Sequence, residues 1–231
     1  MTPKVRPLRW AEYVWLVLEK DLRIERRSGE IVATSGFFAV LVVVLSSVAF
    51  STGDNRAAVA PGVIWVSLAF ASVLAIGRSW HREREENALT GLLVSPLPRG
   101  ALFLGKTLGV MLFLLVVEAL VVPVTALMFA LDLVQLGPGL VLIGLAATPG
   151  IAASGTLFGV MTVRTRARDL VLASVLFPLL SPTLLAAVAA TRELVLGAGI
   201  AELGDYLMLM GVFGFVFVAG GLALFGLLVE G

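Results

Sequence analysis

Cysteine is absent from this 231-residue chain, and His81 is the single histidine. Without cysteine there are no disulfides, no thiolate metal ligands and no cysteine nucleophile. The metalloprotease pattern HExxH and the serine-hydrolase pattern GxSxG are missing as well. One histidine leaves little scope for the paired acid and base that hydrolytic sites need. The sequence therefore predicts a chain that is not itself an enzyme.

Charged residues are also scarce, at 14% of the chain, whereas about a quarter of the residues of a soluble protein are charged. Hydrophobic residues make up 59%, and the mean hydropathy is +1.02. A membrane-spanning helix needs about 20 consecutive apolar residues. Six runs meet this need and predict an all-α integral membrane protein with one transmembrane domain over residues 1–231. The predicted spans are residues 31–51, 60–80, 100–131, 140–163, 169–190 and 205–229.

One part of this layout has an alternative. Arg192, Glu193, Gly197 and Gly199 interrupt residues 181–202. These residues are therefore also compatible with a hairpin that dips into the outer leaflet, which requires that protein or water satisfies its backbone groups.

The basic residues lie on one side of the predicted membrane. All but two of the 17 Lys and Arg residues fall in the N-terminal segment, in residues 78–106, or between the fourth and fifth spans. The exceptions are Arg56 and Arg192. Since basic segments near span ends stay in the cytoplasm, this distribution predicts that both termini and residues 78–106 are cytoplasmic.

Residues 1–30 carry charges throughout, which distinguishes them from a cleavable signal peptide. Apolar residues recur there at intervals of three and four, as on one face of a helix: Leu8, Ala11, Trp15, Leu18 and Leu22. Trp10, Tyr13 and Trp15 suit the level of the lipid headgroups. The pattern predicts an amphipathic helix that lies in the membrane interface. The alternative is a helix that packs on a partner.

The longest polar interruption runs from Arg78 to Lys106. Its first part is densely charged, so it must stand in water beside the membrane. Leu89, Leu92 and Leu93 then recur at helical spacing, before Ser95-Pro96-Leu97-Pro98 ends the helix. We expect a short amphipathic helix whose apolar face either enters a groove of a partner protein or lies on the lipid surface.

Glu118 is an ionisable residue inside the third predicted span. Such a residue is by default a functional-site hypothesis, here a proton or substrate relay. The alternative is a neutral, hydrogen-bonded glutamate that helps spans or subunits to pack. The sequence leaves both interpretations open.

Glycines and prolines inside the spans predict close contacts and kinks. Two glycine pairs, each four residues apart, indicate helix faces that can approach a neighbour closely: Gly105 with Gly109, and Gly155 with Gly159. Four prolines are expected to bend their helices: Pro123, Pro149, Pro178 and Pro182.

Several of these features together resemble the CcmB family, the membrane subunits of the haem-exporter ABC systems of cytochrome c maturation. The second span begins with Ala60-Pro61-Gly62-Val63-Ile64-Trp65, as in that family. The resemblance also rests on the acidic run before the leucines, on Ser95-Pro96-Leu97-Pro98, on Lys106 and on Pro123. The length and the six-span layout agree over the whole chain. More distantly, the chain resembles the ABC-2 type exporter permeases.

The resemblance implies a mechanical role. In such permeases the short cytoplasmic helix is a coupling helix, which docks in a groove of a separate, CcmA-like ATP-binding subunit. Two permeases and two ATPases form the working unit, and the ATPase activity resides in the partner. The implied coupling residues are three acids that pair with basic residues of the ATPase, three leucines that fill its groove, and one proline: Glu83, Glu85, Glu86, Leu89, Leu92, Leu93 and Pro96.

The resemblance also implies further partners in the bacterial inner membrane. These are a haem-handling membrane protein (CcmC-like), a small single-span subunit (CcmD-like) and a periplasmic haem chaperone (CcmE-like). The complex would export haem or release the loaded chaperone. We expect this chain to hold no haem or metal itself, because its single histidine, His81, lies among arginines on the cytoplasmic side. We expect no nucleic-acid partner. The alternative function is an ABC-2 type exporter of lipid, polysaccharide or drug.

Overall fold

The computed structural model of the protein describes residues 9–51, 56–85, 91, 94–95, 97–162 and 168–230. Within these ranges the chain is helical and contains no strand, which confirms the predicted all-α class. The helices are α1 (Trp10–Ser28), α2 (Glu30–Ala49), α3 (Arg56–Glu85), α4 (Arg99–Phe129), α5 (Leu133–Thr162), α6 (Arg168–Val195), a 3-10 helix (Ile200–Leu203) and α7 (Gly204–Glu230).

Six helices of the described chain, α2 to α7, are long and apolar enough to cross a membrane. This confirms the predicted number of spans. The helix α4 contacts α1, α2, α3, α5 and α7, so it lies at the centre of the bundle, next to α5. The helices α2 and α7 are the least buried, with large apolar side chains such as Phe37 and Phe215 on the outside. An apolar exterior suits lipid, and the protein is therefore a multi-pass membrane protein.

The helix α5 begins earlier than the sequence predicts. The predicted fourth span starts at residue 140, whereas α5 starts at Leu133 and contains Pro138. The difference arises from Asp132, whose Oδ1 accepts hydrogen bonds from the backbone N–H groups of Val134 (2.9 Å) and Gln135 (3.2 Å). An aspartate in this position caps a helix and stabilises its first turn.

The helix α6 continues without a break to Val195, so residues 181–195 belong to a helix and not to the alternative hairpin, and a 3-10 helix (Ile200–Leu203) follows. Buried residues near the end of α6 include Ala187, Ala190 and Thr191. The Trp65 Nε1 of α3 donates a hydrogen bond to the Thr191 Oγ1 (2.8 Å). These contacts hold the last turns of α6 against the bundle.

The chain changes direction between α1 and α2 at one residue, Gly29. Its φ of 63° lies in the left-handed region, which glycine adopts without steric cost. The Glu25 Oε1 of α1 accepts a hydrogen bond from the backbone N–H of Val32 (2.9 Å) and so satisfies the first turn of α2. Apart from this turn, α1 makes few contacts with α2, and α1 packs on α4 instead.

Glycines of α4 allow α1 to approach closely. A Cβ atom on Gly105 would lie 2.6 Å from the Val17 Cβ, and one on Gly109 would lie 3.5 Å from the Asp21 carboxylate. The second predicted glycine pair also marks a close contact between helices, with Gly155 and Gly159 of α5 against Ile76 and Trp80 of α3. Both glycine predictions are confirmed.

The helix α1 packs on the rest of the protein with a face that largely differs from the apolar face predicted to meet the membrane interface. Ala11 and Trp15, which the periodicity places on the apolar face, are exposed. The buried residues of α1 are Val14, Val17, Leu18, Asp21 and Glu25. The contact with Gly105 decides which side of α1 packs on α4, and that side includes two carboxylates. Ala11 and Trp15 stay on the outside, which agrees with a helix that directs them at lipid. Trp15 remains outside, where its ring suits the lipid headgroups.

Candidate functional site

Four charged side chains form a ring that joins α1, α3 and α4. The Lys106 Nζ lies 3.0 Å from the Asp21 Oδ2 and also contacts the Glu83 carboxylate. The Lys20 Nζ lies 2.8 Å from the Asp21 Oδ1 and contacts Glu83 as well, so the signs alternate around the ring. The side chains of Asp21, Glu83 and Lys106 are 8%, 3% and 2% exposed, and that of Lys20 is 32% exposed. We call these four residues the ionic ring.

The ionic ring keeps Lys20 and Glu83 charged. Burial lowers the pKa of Lys20, but Asp21 and Glu83 together outweigh it, so the pKa is raised above its ordinary 10.5. Burial acts in the opposite direction on Glu83, where Lys106 and Lys20 prevail and the pKa is lowered below 4.5. Lys20 and Glu83 therefore stay charged at neutral pH, and each faces groups of opposite sign, which is the condition under which buried charges are tolerated.

The ionic ring anchors both ends of residues 86–98, the middle of the polar segment. Glu83 stands near the end of α3, just before residue 86, and Lys106 stands in the first turns of α4, just after residue 98. Lys20 and Asp21 connect both to α1. Within the segment, the Ser95 N–H donates to the Gly91 carbonyl oxygen (3.2 Å) and closes a helical turn.

Glu83 occupies a different place from the predicted one. The sequence assigns it to the surface that contacts a partner ATPase, but its carboxylate is 3% exposed and paired with Lys106 and Lys20. We therefore remove Glu83 from that surface and assign it to the ionic ring. The remaining coupling residues lie outside the described part of the chain: the side chain of Glu85, and Glu86, Leu89, Leu92, Leu93 and Pro96.

The length of α4 places the ionic ring outside the hydrocarbon core. With 31 residues, α4 is about 46 Å long at 1.5 Å per residue, whereas the core is about 30 Å thick. The end that holds Lys106 projects beyond the core, because the apolar part of α3 ends at His81, before Glu83 of the ionic ring. This end of α4 lies against α1. Glu30, the first residue of α2, pairs with Arg78 of α3 (3.0 Å) and marks where the apolar part of these helices begins.

The same turns of α4 match the phosphate-binding pattern GxxxxGK[ST], as GALFLGKT from Gly100 to Thr107. In a nucleotide site this pattern forms a loop after a strand, and the loop directs its backbone N–H groups at the phosphates. In this chain the pattern lies inside a continuous helix, and Lys106 is buried against two carboxylates. The space beside Gly105 is filled by the Val17 side chain of α1. These residues form a helix contact and not a nucleotide site.

Glu118 lies deeper in α4, about 18 Å along the helix from Lys106. Its carboxyl group faces α5, where the Thr148 Oγ1 is hydrogen-bonded to the Glu118 Oε1. Gly144 makes room for the carboxyl group, because a Cβ atom there would come within 2.5 Å of the Glu118 Oε2. The structure thus places this acid against a hydroxyl group and a helix backbone.

A cleft of about 350 Å³ opens between α4 and α5 beside Glu118. It extends from the carboxyl group toward the turn that joins the two helices. Val141 and Leu145 in its wall are 63% and 52% exposed, so the cleft opens to the outside of the bundle. Apart from Glu118 its lining is apolar: Leu115, Ala119, Val122, Pro123, Leu133, Gly137, Leu140, Val141 and Leu145.

Comparison with known proteins extends over most of the chain. The family model of the CcmB protein matches residues 12–225. The heme exporter protein B of Bradyrhizobium diazoefficiens is 27% identical over 184 residues, which cover 78% of this chain and 82% of the relative. That of Pseudomonas aeruginosa is 28% identical over 171 residues, 74% of this chain and 76% of the relative. That of Paracoccus denitrificans is 30% identical over 191 residues, 79% and 84%.

The family match begins in α1 and ends in α7, so it includes the ionic ring, residues 86–98 and the cleft beside Glu118. The resemblance found in the sequence is confirmed by this match. The chain belongs to the CcmB protein family.

Proposed function

We propose that this chain is the membrane permease subunit of an ABC transporter for haem export in cytochrome c maturation. The relatives named above are all heme exporter protein B, which favours this function over an ABC-2 type exporter of lipid, polysaccharide or drug. ATP hydrolysis is assigned to a separate, CcmA-like subunit, because the phosphate-loop pattern of residues 100–107 is part of a helix.

The ionic ring is the observation that carries the mechanical part of this proposal. A force applied to residues 86–98 reaches α3 through Glu83 and α4 through Lys106, and both are tied to α1. Since α4 also contacts α2, α5 and α7, displacement of its first turns is passed to most of the bundle. The segment and the ring together form a coupling device between a soluble motor and the spans.

The partners follow from this function. A permease without its own motor needs a CcmA-like ATPase, and a symmetric unit needs a second copy of this chain. The haem-handling CcmC-like protein, the small CcmD-like subunit and the CcmE-like chaperone complete the complex. Haem is the cargo of this complex.

Copurification with the ATPase tests the docking segment. We expect Leu92→Asp and Leu93→Asp each to abolish ATPase attachment, because a carboxylate in an apolar groove is left desolvated and unpaired. Leu92→Met and Leu93→Met are the matched controls and should retain attachment, since they keep apolar side chains of similar volume. Normal recovery of the ATPase with both aspartate variants would show that the segment is not the dock.

The proposed orientation has both termini and residues 86–98 in the cytoplasm. The distribution of Lys and Arg supports it, and the absence of native cysteine makes it simple to test. Single cysteines at Arg27 and Arg192 should differ in reaction with a membrane-impermeant maleimide in intact cells. We expect Arg192→Cys to be labelled and Arg27→Cys to be labelled only after the membrane is opened. The reverse pattern would invert the layout.

We also propose that the chain holds no haem of its own. Haem iron takes axial ligands from His, Cys, Met or Tyr, and His81 lies in the charged last turns of α3, next to the docking segment. The chain should be purified with its ATPase, without the CcmC-like protein, and titrated with haem. No stoichiometric Soret shift is expected. A saturable shift that His81→Ala abolishes would contradict the proposal.

A further inference from the structure

The cleft beside Glu118 offers hydrogen-bond acceptors in an otherwise apolar wall. One is the Glu118 carboxyl group. A second is the carbonyl oxygen of Ala119, because Pro123 has no N–H group to serve as its partner four residues along the helix. Ala119 and Pro123 both line the cleft, so this gap in the helix lies on the open side. A molecule that fills the cleft is therefore complementary if it brings a donor.

The contact between Thr148 and Glu118 indicates how the hydrogen bonds of the Glu118 carboxyl group are balanced. The Thr148 Oγ1 lies within hydrogen-bond distance of the Glu118 Oε1 and 2.7 Å from the carbonyl oxygen of Gly144. A hydroxyl group has one proton, so it can donate to only one of these oxygens. A proton on the carboxyl group satisfies both contacts at once, and it also avoids an unpaired charge in the membrane. A bound cation could replace that proton.

We propose that this cleft is a binding site for an apolar molecule that carries a hydrogen-bond donor, with a primary ammonium group as the best match. The volume of about 350 Å³ lies within the range of small-molecule sites. The exposed walls formed by Val141 and Leu145 allow entry from the membrane. An anionic amphiphile is excluded, because its head would meet a carboxyl group and a carbonyl oxygen. The proposal is independent of ATPase docking.

Dicyclohexylcarbodiimide, an apolar reagent that adds to protonated carboxyl groups, tests this site in the full chain in nanodiscs of phosphatidylcholine. Mass spectrometry should find the adduct on Glu118 in the wild type and should find no adduct at position 118 in the Glu118→Gln variant. Dodecylamine at ten times its dissociation constant should reduce labelling to about one tenth, as mass action requires. Dodecanesulfonate, an acid of the same chain length whose anionic head does not react with the carbodiimide, should leave labelling unchanged.

A pair of matched variants shows whether the carbodiimide reaches Glu118 through the cleft. Ala119→Phe fills the cleft and should lower labelling, whereas Leu127→Phe adds the same ring to an exposed position of α4 outside the cleft and should not. Both variants should elute as the wild type does in size-exclusion chromatography. The proposal is overturned if the wild type is not labelled, if the amine and the acid protect equally, or if Ala119→Phe is labelled as fast as Leu127→Phe.

The lipid composition of the nanodiscs distinguishes two possible sources of the hydrogen-bond donor. Phosphatidylethanolamine has N–H donors in its headgroup and phosphatidylcholine has none. Lower labelling in nanodiscs that contain phosphatidylethanolamine would identify a bilayer lipid as the ligand. Protection by dodecylamine without this lipid effect would identify a free amphiphile of the same chemistry.

Discussion

Lys106 and Glu118 lie on the same helix, about 18 Å apart along its axis, and their surroundings differ. Lys106 is 2% exposed and shares two carboxylates with a second lysine. Glu118 has a hydroxyl partner and lines an apolar cleft. In the first environment each charge faces a group of opposite sign, and the Glu83 Oε2 is buried without a hydrogen-bond donor. The second retains acceptors that an incoming donor can use.

The difference follows the position of each residue relative to the membrane. The first turns of α4 extend beyond the hydrocarbon, where several helices can each contribute a charged residue from an adjoining polar segment. Inside the core, charged side chains are expensive, and a glutamate there is balanced most cheaply by a proton. A buried charge that is balanced by neighbouring charges thus indicates a mechanical joint, whereas an acid that faces an open apolar cleft indicates a ligand site.

The largest expected effect comes from breaking the balance of the ionic ring. In Lys106→Met, the two buried carboxylates have only Lys20, which is partly exposed, as a positive partner. The substitution should lower the free energy of unfolding by roughly 3–5 kcal/mol. Adding Glu83→Met restores neutrality and should recover more than half of this loss. Thermal unfolding of the purified proteins measures both.

Lys20→Met is the control for this prediction, because the Lys20 side chain is 32% exposed and can draw on solvent. It should cost clearly less than Lys106→Met. If Lys106→Met were as stable as the wild type, or if the double variant were no better than the single one, the ring would not be the joint described above.

A smaller effect is expected at Glu118, the second residue of the comparison. Glu118→Gln keeps both a donor and an acceptor beside Thr148 and removes only the ionisable proton, so the free energy of unfolding should change by less than about 1 kcal/mol. Cytochrome c maturation should continue at a normal level of the protein. Loss of maturation with normal protein in the membrane would instead favour the proton or substrate relay.

The smallest effect is the response of the ionic ring to pH. The raised pKa of Lys20 gives stabilisation that is complete below 10.5 and is lost as the pH rises through the higher folded-state value. The lowered pKa of Glu83 gives stabilisation that is complete above 4.5 and is lost as the pH falls through the lower folded-state value.

Between 4.5 and 10.5 the contribution of these two residues should therefore be constant. Limited proteolysis of α1 across this range measures it. A marked increase in cleavage near neutral pH would contradict the charge states assigned to the ring.

The number of spans could be predicted because each must be apolar over its length, and this is a local property of the sequence. The start of α5 could not be predicted from hydropathy, since Asp132 reads as part of a polar turn until its carboxylate is seen to cap Val134 and Gln135. The buried face of α1 could not be predicted from its periodicity, because Gly105 on another helix selects it.

The ionic ring could not be predicted from the sequence for a related reason. Asp21, Glu83 and Lys106 lie on three different helices, and the sequence around each residue gives no indication of its two partners. One signal was present, however. The apolar run that holds Lys106 is longer than a span requires, so its charged end had to lie outside the core and find partners there. For Glu118, the membrane position could be predicted, but Gly144 and Thr148 on α5 could not.

Photo-crosslinking in the assembled complex compares the two regions most directly. A photoreactive amino acid is placed at Leu93, in the proposed dock, or at Val141, in the wall of the cleft, with the ATPase present in both cases. The account predicts that the residue at position 93 crosslinks to the ATPase and that the residue at position 141 crosslinks to lipid or to an added alkylamine. A crosslink from position 141 to the ATPase, or none from position 93 while the ATPase remains bound, would contradict it.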